Sequence, residues 1–147
     1  MDCLETWWQD NKALHLTVEE LVINIDNGSA TRSNRTQFIK RMVEFSQKTQ
    51  LKIKLIYYPP YHSKYNPIER CWATLENYWN GAILDSIDAA IKWASNMTWN
   101  GISPKVQLFE GSYEKGVIAS CEELKTLKPF WLPSENLPKW DVTVVPC

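Results

Sequence analysis

Two periods of apolar spacing succeed one another along the chain before Asn100. The run ELVINID, Glu20 to Asp26, is a compact block of β-branched and apolar residues that stops at the turn-forming cluster DNGSA. It predicts a buried strand ending at Asp26. From Arg35 to Lys48 the spacing changes: Phe38, Met42 and Phe45 recur at i, i+4 and i+7, with Ile39 and Val43 beside them and basic residues between. This is the pattern of an amphipathic helix. LKIKLIYY, Leu51 to Tyr58, alternates apolar residues with lysine before becoming wholly apolar, and reads as a second strand stopped by Pro59-Pro60.

Further on, Asn66 suits a helix N-cap and Pro67 the first helical position. Ile68, Cys71, Trp72, Leu75 and Trp79 follow at helical spacing, which predicts one buried face on a helix ended by Gly81. Asp85 or Ser86 caps another helix, with Ile87, Ile91 and Ala94 inward, running to about Met97. Leu4 to Leu14 reads as a short helix ahead of the first strand. Strand, helix, strand, helix in short succession indicates an α/β layered fold. After Asn100 the signals weaken. One helix is expected near the end of GSYEKGVIASCEELKTL, and the proline-rich KPFWLPSENLPKWDVTVVPC reads as an extended tail packing through its aromatics. Trp99 to Pro104 is the expected junction between a domain over residues 1–99 and a C-terminal extension over 100–147.

The composition does not change this picture. The 147 residues include 44% hydrophobic and 22% charged positions, an ordinary globular balance, and eight Trp and six Tyr are many for the length. A net charge of −1 gives no global basic field, so contact with nucleic acid would have to rest on a local patch. Cys3, Cys71, Cys121 and Cys147 lie far apart, form no C-x-x-C pair and are not near His15 or His62. A zinc site and a disulfide scaffold are both disfavoured, and reduced thiols in a cytoplasmic protein are expected. No stretch has the length of a membrane span, and MDCLETWWQDNK lacks the layout of a signal peptide.

The candidate chemistry lies in two acids. Asp26 ends a predicted strand, and open α/β sheets collect ligands at the carboxyl ends of strands. Glu69 stands in the first turn of the helix that follows the next strand, reached through PPYHSKYNP. Two carboxylates converging at a sheet edge suit Mg²⁺, which takes oxygen ligands, keeps several waters and needs only one or two protein carboxylates. Two such metals would activate a hydroxyl nucleophile and stabilise the leaving oxygen of a phosphodiester displacement. Taken singly, Asp26 reads as a turn residue and Glu69 as a solvated first-turn acid, as they would in an unrelated α/β domain. Their equivalent places on consecutive strand–loop–helix units shift the balance toward a shared site.

VINIDNG followed by YYPPYHSKYNPIERCWATLENYWNG resembles the second and third catalytic segments of DDE transposases, and among them the ISAzo-type insertion-sequence enzymes, distant relatives of the mariner group. The likeness is strong over Leu21 to Trp99, and the tail with YEKGV and LPKWDV is similar to the same group. Asn-Pro-Ile-Glu after a Pro-Pro-Tyr loop is its specific part. The resemblance implies a ribonuclease-H-like fold, Mg²⁺ (or Mn²⁺) as cofactor, and cleavage and transfer of DNA strands at transposon ends and target. It makes Asp26 the second acid of a triad and Glu69 the third.

The family's first acid lies on an upstream strand. Here the candidates, Asp2 and Asp10, stand in a helical or terminal setting. The expectation is thus a ribonuclease-H-like fold incomplete at its N-terminus, a fragment from a split or truncated frame that is inactive alone. A full-length or split transposase chain would then be its protein partner. The alternative is a non-catalytic remnant that binds DNA or a transposase without cutting. Lys64 and Arg70 flank Glu69, Arg32 and Arg35 follow Asp26, and His62 lies in the proline loop. All five are candidate DNA contacts. Plain solvated surface is the commoner fate of each such cation, ordering its loop is the commoner role for His62, and Trp72 and Trp79 read as packing residues.

Overall fold

In the computed structural model, residues 1–59 and 66–147 are described. They fall into two compact units, Met1–Pro60 with Lys115–Cys147, and Tyr61–Glu114. This division cuts the chain differently from the expected 1–99 and 100–147.

The first unit is built on the strand–helix–strand pattern. Strand β1 spans Glu20–Ile25, helix α2 Thr36–Thr49 and strand β2 Lys52–Tyr57, with helix α1 over Asp2–Asn11 ahead of them. β1 and β2 are parallel neighbours, registered from Glu20 opposite Lys52 to Ile25 opposite Tyr57. The helical crossover α2 is what allows two sequential strands to run the same way. Its Met42, Val43 and Phe45 are at most 1% exposed and lie in one core with Ile53, Leu55 and Tyr57 of β2. Burying each such side chain stabilises the fold by about 1.5–3 kcal/mol. α2 ends where Gln50 adopts a left-handed conformation at φ 58°. There the fully buried Ser46 hydroxyl donates to the Leu51 carbonyl at 2.6 Å and ties the helix end to the start of β2.

The C-terminal residues are not simply a tail packed through aromatics. Helix α5 spans Cys121–Leu127 and opens on a capping box between Ser120 and Glu123. Strands β3, Trp131–Pro133, and β4, Asp141–Val144, then complete a four-stranded mixed sheet in the order β1-β2-β4-β3. β4 runs antiparallel to β2 and brings the fully buried Val142 and Val144 onto its apolar face. Pro133 is tolerated because β3 is an edge strand.

The sheet order corrects the reading of β1 as a buried strand. β1 is the opposite edge: Leu21, Ile23 and Ile25 face the core and are half-buried, whereas Val22 on the other face is 49% exposed. The strand stops at Ile25, one residue before Asp26. α1 is held to α2 by Arg41, which pairs with Asp2 at 2.7 Å and Glu5 at 3.4 Å, and by Lys48 with Glu5 at 2.6 Å. These half-exposed pairs orient the helix more than they stabilise it.

The second unit contains helix α3, Pro67–Trp79, and helix α4, Ile87–Asn96, packed on each other. Asn66 caps α3 by accepting from the Ile68 amide, and Ser86, one of the two expected caps, accepts from the Ala89 amide. The buried face predicted for α3 is narrower than its spacing suggested. Leu75 is buried and Cys71 and Trp79 are half-buried, but Ile68 is 43% and Trp72 52% exposed. Ile87 of α4, expected inward, is 61% exposed. Helical periodicity defines a stripe, but the partner's width decides how much of it is covered.

Candidate active site

The loop Asp26–Arg35 connects β1 to α2 and carries three of the predicted site residues. Asp26, Arg32 and Arg35 are all exposed. The loop is held by its own polar groups. The Gly28 carbonyl accepts from the Thr31 and Arg32 amides, both at 3.2 Å. Arg35 Nε donates to the Ser29 carbonyl at 2.6 Å, so part of this guanidinium braces the loop. The Thr31 hydroxyl donates to the Asp26 carbonyl at 3.0 Å and reaches its Oδ1 at 3.4 Å.

From below, the hydroxyl of buried Tyr57 donates to the Thr31 carbonyl at 3.0 Å. Burial pushes the Tyr57 pKa well above its ordinary value, so this hydroxyl stays a neutral donor. Tyr57 is brought here by the parallel register, which sets it opposite Ile25, the last residue before Asp26.

Glu69 stands in the first turn of α3, exposed, with Arg70 exposed beside it. These two belong to the second unit, and Asp26 to the first. His62 and Lys64 lie outside the described residues. Asp2, a candidate for the first acid, opens α1 and pairs with Arg41, and Asp10 lies near the end of that helix.

Among the described residues, no three His, Cys, Asp or Glu side chains gather into a group that could hold a metal ion. The Asp26 carboxylate nevertheless fits a hard, hydrated cation. It is exposed at the carboxyl end of a parallel strand, and its one hydrogen bond among the described residues leaves Oδ2 available. A site of one or two carboxylates completed by water is the usual form for Mg²⁺.

The sequence pattern placed Asp26 at a strand end and did not disclose the residues bonded to it and to its loop. Tyr57 was legible as an apolar strand position, but its contact with Thr31 was not. No helix of the described residues is long and apolar enough to cross a membrane.

The exposed Asp26 thus follows the carboxyl end of a parallel strand pair, the kind of edge at which open α/β sheets collect ligands. The family described as the Rhodopirellula transposase DDE domain matches residues 1–146, and the chain belongs to this DDE transposase family. No curated protein and no solved structure matches it.

Proposed function

We propose that this chain serves the metal-dependent cutting and rejoining of DNA strands in transposition, with Asp26 and Glu69 as two of the acids and a ribonuclease-H-like arrangement of the sheet. The observation that carries the reading is the place of Asp26. In a chain that belongs to the DDE transposase family, it leaves β1 at the carboxyl end of a parallel strand pair. When bound, Mg²⁺ or Mn²⁺ would supply the charge that lowers the pKa of an attacking hydroxyl and neutralises the leaving oxygen. Asp26, and Glu69 in the first turn of α3, are the carboxylates that would hold the cation. Arg32, Arg70, His62 and Lys64 would meet phosphate oxygens, and Arg35 would act mainly by bracing the loop.

Iron-directed cleavage tests the site without requiring turnover. Fe²⁺ substituted for Mg²⁺, with ascorbate and peroxide, should cut the backbone beside Asp26 and beside Glu69, and Asp26→Asn should abolish both cuts. Cuts elsewhere, or none, would overturn the assignment. For the reaction, metal-dependent nicking of DNA carrying the element's ends is expected not from the chain alone but when it is mixed with a transposase of that element whose own second and third acids have been neutralised. DNA binding with no metal-dependent cutting in that mixture would count against catalysis and favour a remnant that binds without cutting.

A further inference from the structure

We propose that Thr31 and Tyr57 are positioning residues for Asp26, forming a two-step relay, from the Tyr57 hydroxyl to the Thr31 backbone carbonyl and from the Thr31 hydroxyl to Asp26, that holds the carboxylate ready for a divalent cation; the proposal rests on the reading of Asp26 as a metal ligand. An exposed aspartate at the start of a loop has no intrinsic reason to hold one rotamer. Here its surroundings restrict it from two sides.

The Thr31 hydroxyl has one hydrogen, and it lies between the Asp26 carbonyl at 3.0 Å and Oδ1 at 3.4 Å. It therefore sits against both oxygens, nearer the carbonyl, and Oδ2 has no hydrogen bond among the described residues. On another side lies Gly28. A methyl group there would stand 3.2 Å from Oδ2 and 3.3 Å from Oδ1, so the glycine leaves room for the carboxylate.

Thr31 is itself placed from the core. The Tyr57 side chain is 3% exposed, and its hydroxyl reaches the Thr31 carbonyl at 3.0 Å. The relay thus runs from the buried end of β2 through one loop residue to the acid. Partners of this kind fix a ligand's orientation, and removing one typically weakens metal affinity by about 10–100-fold. Thr31 and Tyr57 would touch neither metal nor DNA.

Calorimetric titration of Mn²⁺ into the whole chain, far below its melting temperature, tests the relay. Asp26→Asn should abolish binding. Thr31→Val keeps the shape, removes the hydroxyl, and should weaken binding by roughly tenfold or more. Thr31→Ser should restore it, a rescue that a packing role for the threonine would not produce. Tyr57→Phe and Gly28→Ala should weaken binding in the same direction. Unchanged affinity in Thr31→Val, with binding still abolished by Asp26→Asn, would overturn the relay and leave Asp26 a ligand. A Thr31→Ser variant as weak as Thr31→Val would also overturn it. Should Thr31→Val lose its fold, Tyr57→Phe decides alone, and unchanged affinity there overturns the relay. Mn²⁺ binding that is absent from the unaltered chain, or indifferent to Asp26→Asn, would overturn the reading of Asp26 and the relay together.

Discussion

Neutralising the two acids separates a ligand from a structural residue. Asp26 is exposed, and its one side-chain hydrogen bond among the described residues is a long one, 3.4 Å from the Thr31 hydroxyl. Asparagine keeps an acceptor at that place. Asp26→Asn should therefore change metal-free stability by no more than about 0.5 kcal/mol, the range of a surface substitution. Glu69→Gln removes a first-turn charge from α3, worth about 0.3–1 kcal/mol against the helix dipole. Metal changes the comparison. Mn²⁺ at about 100 times its dissociation constant, bound to the folded state alone, stabilises it by about 2.7 kcal/mol. At about 2–4 °C per kcal/mol for a chain of this size, the unaltered protein should melt roughly 5–11 °C higher with Mn²⁺. Both variants should lose that rise. Thermal melts followed by circular dichroism, with and without Mn²⁺, measure all six states. A metal-free drop of several degrees in both variants would mean that the acids hold the fold together. A Mn²⁺ rise that survives Asp26→Asn would refute its role as a ligand.

Two further outcomes concern the scaffold. Ser46→Ala should cost about 1–3 kcal/mol in urea unfolding, because the buried hydroxyl bonded to the Leu51 carbonyl at 2.6 Å is lost and Leu51 is itself only 3% exposed; an unchanged urea midpoint would show that this bond does not join α2 to β2. Glu123 accepts from Lys40 at 2.7 Å and from the Ser120 amide, and these bonds, the Lys40 one first, hold its carboxyl down to about 2. A depressed carboxyl contributes stability that is present above the ordinary carboxylate range and lost as pH falls toward about 2. Glu123→Gln should thus flatten the acid side of the stability profile in that window, as read from melts between neutral and strongly acidic pH, and an unaltered profile would remove Glu123 from the account of acid sensitivity.

Much of this protein was legible in short-range spacing. The period of α2, the apolar alternation of β2 and the Asn66-Pro67 helix start are local properties, fixed by where side chains project from a helix or strand. They placed these elements to within a residue or two, and they put Asp26 at a strand end and Glu69 in a first helical turn. The family likeness could be read from the same two segments.

What the chain did not disclose is what depends on a neighbour. ELVINI is apolar enough to pass for a buried strand, yet the order β1-β2-β4-β3 makes it an edge and exposes Val22. DVTV, between prolines, gives a weak strand signal. It becomes a strand because β2 offers an open edge to pair with, and burial of Val142 and Val144 follows from that pairing. The stripe on α3 was correctly spaced, but its covered width was set by the packing around it. The same holds at the site. Asp26 could be singled out by its position, whereas Thr31 and Tyr57 meet only because the parallel register sets Tyr57 opposite Ile25. A hydrogen bond between residues distant in sequence has no local periodicity to announce it, and only the pairing of the strands brings its two ends together.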